Sequence, residues 1–420
     1  ITSAENTSSS SSKTSSSSGF NLGIVNYSSQ KGSANDNSKT ENAASTLQGG
    51  NVTLETGADM RIKGSQVAAS NDASVDVTGN LNVENASDTT ETSSSSYKSK
   101  SINATIPLYY FNVNLGHNSA ATKADSVYDR TVVASGVTTG NDLDVTVGQD
   151  ANIIGSDVQA GGNLDLNVTG NLALATAQNV HDESHSESEE SGFSVGVSSS
   201  GYGGNVGQTK LEATQGSTLD VINDGTLLQA DQDLNVKADN VTVVSGELVS
   251  GQDTTLEADR DIILATAQDI HQTSESRTKG KTTTVGVSYA STYGEDNGAN
   301  TRVGLNVSKG TETTNTTTIT DIVQKGTSLN AGNNVTITSG NDTTLINPDI
   351  KATGQTTINA DGDVNLLAAA DTHEVTNTTS TTKTSSVGAT VGASANVENG
   401  GASTDGSFTT GTLNSGVTQT

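Results

Sequence analysis

The sequence has no cysteine and no tryptophan, one methionine and two prolines in 420 residues. The missing cysteine excludes a disulfide scaffold, a zinc–thiolate site and a thiol nucleophile. Aromatic residues make up only 3%, too few for the ring platforms on which sugar-active β-helical enzymes hold their substrates. Positive charge is scarce as well: 20 Lys+Arg stand against 47 Asp+Glu, a net charge of −27, which argues against a nucleic-acid partner. No run of about 18 apolar residues is present, so no helical membrane span is expected. Hydrophobic residues are 31% and charged residues 16%, both below the roughly 45–50% and 25% of an ordinary globular domain. Two or three compact cores, the usual provision for this length, cannot be filled. Low hydrophobicity with high net charge also marks disorder, but disordered chains are rich in proline, and here only Pro107 and Pro348 occur. The alternative is a repetitive β-structure built from small residues, with Gly and Asn at its corners.

What the sequence does contain is repetition. Leu174-Ala-Thr-Ala-Gln-Asn-Val-His181 recurs as Leu264-Ala-Thr-Ala-Gln-Asp-Ile-His271 and, more weakly, as Leu366-Leu-Ala-Ala-Ala-Asp-Thr-His373. Each copy leads into a Ser/Thr-rich tract and then a glycine-spaced strand: Gly192-Phe-Ser-Val-Gly-Val197, Thr284-Val-Gly-Val-Ser288 and Ser386-Val-Gly-Ala-Thr-Val-Gly392. A copy without the histidine reads Leu81-Asn-Val-Glu-Asn-Ala-Ser-Asp88 before Thr89 to Ser101, and Ile1 to Gly23 reads as the tail of another. The division is therefore 1–48 as the tail of a preceding repeat, then repeats at 49–139, 140–217, 218–325 and 326–420, all in one continuous solenoid. The chain starts at Ile1 and ends in a Ser/Thr/Gly run. Both ends read as cut from something longer, so the lack of a targeting segment is uninformative about location.

Within each repeat the first half alternates strictly, as in Asn141-Asp-Leu-Asp-Val-Thr-Val147 and Gly161-Gly-Asn-Leu-Asp-Leu-Asn-Val168. Such alternation is a half-buried strand, and the Gly-Asn and Gly-Gly pairs between runs are corner signals. Two or three short strands restarting about every 20 residues describe one coil of a β-solenoid. A narrow tube lined by Val, Leu, Ile and Ala reconciles the fold with so little apolar material. The second halves lack an inward-facing pattern. Strands such as Phe193-Ser-Val-Gly-Val197, Val303-Gly-Leu-Asn-Val307 and the aromatic Tyr109-Tyr-Phe-Asn-Val-Asn-Leu115 have one apolar face and little bulk on the other. They are either wider coils or projecting hairpins. A sharper reading makes them the working surface, able to pair with another sheet or a membrane.

Taken together, the Gly-Asn-Leu-x-Leu/Val coil at 162–166, the motif at 174–181 and 264–271, and the Ser-rich tract with its Val-Gly-Val strand resemble the haemagglutinin repeats of filamentous-haemagglutinin-type exoproteins of two-partner secretion. The resemblance covers essentially the whole chain. It implies an all-β, right-handed parallel β-helix that is secreted through an outer-membrane partner and displayed at the surface of a Gram-negative cell. It also implies target-cell envelope or receptor contact. Relatives of this kind include adhesins and the effectors of contact-dependent growth inhibition, in which such repeats help deliver a C-terminal toxin across the target outer membrane. An adhesin stalk or receptor-binding module is the alternative.

The five histidines are His117, His181, His185, His271 and His373. His181 and His185, with Asp182, Glu183 and Glu187, could hold a metal, but they read better as a solvated acidic loop. The recurring histidine at 181, 271 and 373 reads as a strand-end or corner residue rather than a pH sensor. Asp231/Asp233, Asp259/Asp261 and Asp361/Asp363 recur at coil corners as turn formers; a calcium repeat would need the full nonapeptide, which is absent. Carboxylates are dispersed rather than gathered in one groove. No catalytic, cofactor or metal site and no enzymatic activity are expected.

Overall fold

The computed structural model describes residues 1–199, 202–292, 299–395 and 402–419. They contain strands and no helix, distributed over three eight-stranded parallel sheets and one ten-stranded antiparallel sheet. The chain visits the three parallel sheets in rotation. Gly136–Thr139, Leu143–Val147 and Ala151–Ile154 make one coil; Asp157–Ala160, Leu164–Val168 and Asn171–Ala175 make the next. Leu143 pairs with Leu164 in register, a step of 21 residues of the kind bridged by the Asn163–Asp142 bond. The stacked parallel sheets are consistent with a β-helix, and the eight strands in each sheet make eight coils, a stack roughly 35 Å tall at the usual strand spacing.

Alternation places every second residue inside. The columns Val67–Val137–Val158–Leu228–Leu248–Leu329 and Ile62–Val83–Ile153–Leu174 run up the tube through successive strand pairs, and all of these side chains are buried in one continuous core. Each fully buried Val, Leu or Ile contributes on the order of 1.5–3 kcal/mol of hydrophobic free energy. No aromatic is needed, because the tube is only one side chain deep from each wall.

Two corners are held by columns of Asp and Asn. At one, the amides of Asn163, Asp233, Asp253, Asn334 and Gln355 each donate to the Oδ1 of the residue one coil before: Asp142, Asn163, Asp233, Asp253 and Asn334. The other repeats the device through Asp59, Asn80 and Asp150 and, higher up, Asp261 and Asp342. Of the corner aspartates read from the sequence, Asp233 and Asp261 are therefore acceptors for the amide of the neighbouring coil. The third corner alternates between two fates. Where the chain stays in the solenoid it turns through a left-handed residue: Gly64, Gly155, Ser245 or Asn347, with φ between 48° and 53°. A Cβ on Gly155 would stand 2.3 Å from that of Ala177, so glycine is required there by space as well as by φ.

Where that turn is missing, the strand runs straight on and leaves the tube. Pairs of long strands result: Ala4–Asn21 with Val25–Ala43, Ala86–Pro107 with Asn112–Val133, Ala177–Ser199 with Tyr202–Asp224, Ala267–Thr292 with Ala299–Lys325, and Thr372–Ala395 with Ala402–Gln419. These five hairpins pair with one another as the antiparallel sheet. The Ser/Thr-rich halves are thus projecting hairpins, not wider coils. Of the repeat boundaries read from the sequence, 139/140 and 325/326 fall between strands, whereas 48/49 and 217/218 fall inside Thr46–Gly49 and Tyr202–Asp224. The Tyr109–Leu115 segment is only partly a strand. Leu108 and Phe111 close a two-residue turn by exchanging backbone bonds of 2.7 and 3.3 Å, which leaves Tyr109 and Tyr110 at the hairpin tip.

Candidate functional site

The hairpin sheet has two chemically different faces. In an antiparallel pair, partners across the ladder share a face, as do residues two apart along a strand. The registers then define rows. One row near the free end is Leu115–Val195–Val206–Val285–Val307–Val387. The next outward is Val113–Val197–Gly204–Val287–Leu305. The next inward carries Tyr27, Ile102, His117 and Phe193. Val195, Val197, Val206, Leu305 and Val387 remain 40–50% exposed, so nothing among the described residues covers this apolar band. The opposite face at the same level is Asn114–Gly196–Asn205–Gly286–Asn306–Gly388. The hydrophobic–Gly alternation of the sequence is what separates the two. At the tips, Tyr109 and Leu22 are 91% and 72% exposed, and Tyr109 meets Tyr110 edge-on at 4.6 Å.

Directly inward of the band, on the same face, lies a row containing Lys100, Lys210, Lys281 and Lys383. Lys31 and Lys98 face each other one row further in, and Lys309 sits one row out, opposite Thr283. In a chain with only 20 cationic side chains, this collar concentrates positive charge beside the apolar rows. Composition alone gave no sign of it, because the lysines are far apart in sequence; only the hairpin register assembles them.

At the root of the same face lies the recurring motif. Leu174 and Leu264 are core residues. Asn179, Asp269 and Asp371 accept the backbone amides of Val132, Asn223 and Gln324 on the neighbouring hairpin strand. His181, His271 and His373 follow; His181 and His271 lie inside Ala177–Ser199 and Ala267–Thr292 rather than at a strand end or corner, because the chain passes straight from coil into hairpin, whereas His373 stands at the beginning of Thr372–Ala395. Each histidine Nδ1 pairs with an aspartate Oδ1 on the preceding strand: His181 with Asp129 at 2.6 Å, His271 with Asp220, and His373 with Asp321. In the first repeat the register places Thr90, not the Ala86–Asp88 stretch, at the histidine position, opposite Asp129, and Asp88 takes the capping role by accepting the amide of Asn42. His185 pairs instead with Asp125 at 2.5 Å. His181 and His185 thus serve separate carboxylates, and Asp182 falls on the other face by alternation. Among the described residues no group of three or more His, Asp or Glu is arranged to hold a metal ion. The Asp129 bond, reinforced by the charges of Asp129, Asp220 and Glu183, raises the His181 imidazole above its ordinary range, while the His185 bond holds the Asp125 carboxyl below its own.

The hemagglutinin repeat family matches at residues 1–104, 114–240, 222–323 and 320–420. The chain is similar to a toxin CdiA of Escherichia coli, 31% identical over 72% of this chain and 9% of that protein. It is also similar to a 16S rRNA endonuclease CdiA of Enterobacter cloacae, 25% identical over 81% of this chain and 9% of that protein. A tRNA nuclease CdiA of Burkholderia pseudomallei matches at 30% identity over 40% of the chain and 13% of its own length. The chain thus spans about a tenth of the length of the curated relatives it matches. No solved structure matches.

Proposed function

The chain belongs to the hemagglutinin-repeat family of filamentous-haemagglutinin-type exoproteins, and from that premise we propose that it is a structural, non-enzymatic segment of a contact-dependent growth-inhibition effector. In this reading the whole protein is exported through an outer-membrane two-partner transporter and displayed at the cell surface. Its solenoid winds right-handed and acts as the spine. Its hairpin sheet meets the outer membrane of the target cell and helps a C-terminal toxin across. The carrying observation is the uncovered apolar band at the free end of one sheet face, with tyrosines at a tip and lysines directly behind it. Apolar rows, an interfacial aromatic and a cationic collar, in that order, suit the boundary between acyl chains and anionic head groups. The band is only three rows deep, roughly 13 Å along the strands, against the nine to eleven residues a strand needs to span a bilayer. The reading is therefore insertion at an interface.

The test is protease protection of the purified chain with and without outer-membrane vesicles, together with cosedimentation. Vesicle-dependent protection of the hairpin segments is expected, and Val195→Ser, Val206→Ser and Val285→Ser combined should weaken cosedimentation at least tenfold. Equal cleavage in both samples would leave a passive rod and overturn the proposal. Saturable binding that disappears when vesicle proteins are removed would instead favour an adhesin or receptor-binding module.

A further inference from the structure

The paired Asp and His residues at the sheet root form a row that no function above uses. Across six adjacent strands the registers place Asp129, His181, Asp220, His271, Asp321 and His373 side by side, with acid and imidazole alternating without a break. His181 stands between Asp129 and Asp220, and His271 between Asp220 and Asp321. The six side chains come from four successive repeats, so the pairing of one repeat's hairpin with the next assembles the row.

We propose that this row is a proton-operated clasp that ties the roots of successive hairpins together when its imidazoles are protonated and loosens them when it is deprotonated. With all three rings protonated the row holds three positive and three negative charges, each next to its opposite. With the rings neutral the same six strands carry three uncompensated carboxylates. Opposite charges directly across a ladder stabilise a sheet and like charges destabilise it, and the strand spacing of about 4.8 Å keeps these groups within direct reach.

The surroundings do not cancel the effect. On its own strand His181 faces Glu183, at 3.9 Å from Nε2. Asp269 and Asp371 precede His271 and His373 by two residues, with their Oδ1 atoms accepting the amides of Asn223 and Gln324. Lys325 lies on the strand and face of Asp321, but its Nζ is bonded to the carbonyl of Asn223. Arg130 is on the opposite face, bonded to the carbonyl of Gln178. The nearby charges on the row's face are thus mainly acidic, and at His181 they favour the protonated ring. A histidine that gains anionic partners on folding contributes stability that is complete below its ordinary pKa of about 6.5 and is lost as the pH rises through the folded value. The clasp is accordingly closed in mildly acidic surroundings and opens toward alkaline pH.

Hydrogen exchange of the full chain between pH 6 and pH 8, corrected for the intrinsic rate, tests this directly. Amides at 177–183, 218–224, 267–273 and 319–323 report the root, and those at 234–238 in the solenoid serve as the internal reference. Root protection should fall relative to the reference across that range. In the combined His181→Gln, His271→Gln and His373→Gln variant, protection should stay at the alkaline level throughout, whereas His185→Gln should keep the wild-type response. Root protection in the wild type that tracks the reference at every pH would overturn the proposal without any variant. An unchanged pH response in the triple variant would overturn it as well.

Discussion

Ser245 is the residue whose role is hardest to reconcile with its chemistry. It occupies one of the four tight corners at φ 52°, where glycine or asparagine fills the others, and its Oγ is buried without a hydrogen-bond partner. A left-handed conformation costs a non-glycine residue about 1–2 kcal/mol, and an unsatisfied buried hydroxyl adds to that. Ser245→Gly is therefore expected to stabilise the chain by about 1 kcal/mol, after allowing for the greater freedom of glycine in the unfolded state; a raised urea midpoint checks it. Asp253 is the opposite case. Its Oδ1 accepts from the Asn334 amide and from the side-chain amides of Asn333 and Asn334. Asp253→Ala should lower the midpoint by about 1–2 kcal/mol, with the loss of exchange protection centred on that corner.

At the scale of the element, the same backbone becomes coil or hairpin according to one corner and one alternation. Coil strands bury every second side chain; hairpin strands bury almost none and rely on cross-strand contacts such as Thr278–Thr314 at 2.9 Å and Ser126–Ser184 at 2.8 Å. Strand stacking also creates conflicts. Asp144 pairs in register with Asp165, and desolvation, followed by the charges of Asp165, Asp142 and Asp72, raises its carboxyl above the usual range. A carboxylate raised by folding weakens the fold as it ionises, so its burden appears as pH rises through the folded value and is absent in acid. Asp144→Asn should therefore be more stable than the wild type at pH 7 by a few tenths of a kcal/mol, since the side chain is exposed, and equal to it near pH 3. Asn235, next in the same column, already bonds to Asp165 in this way.

For the whole molecule, one sheet face is graded from root to tip: alternating Asp and His, then mixed charges, then lysine, then apolar rows. The net charge of −27 keeps such a chain soluble and opposes edge-to-edge pairing of its long strands, while the lysine collar gives a local reversal of sign near the apolar end. Association with anionic vesicles should then weaken as salt is raised from 0.05 to 0.5 M, because screening shortens the reach of the collar, but should not vanish while the apolar rows remain. Salt-independent binding would remove the collar from the account.

Much of this was legible in the sequence. Strict alternation with Gly-Asn corners specified the coils, because a narrow tube admits only one side chain in two, and the recurring motif marked where each repeat leaves it. The hydrophobic–Gly strands specified a thin sheet with one apolar face. The rest depends on register. The aspartate that faces each histidine lies some 50 residues away in sequence, at |i−j| of 52, 51 and 52 for His181, His271 and His373, and belongs to no shared motif, so a histidine after a buried strand looked like a corner residue. The lysine collar is likewise drawn from several hairpins. Local pattern determines which strands form and which face of each is apolar; the pairing of one repeat's hairpin with the next decides which charges meet, since that depends on where each long strand begins relative to its neighbour.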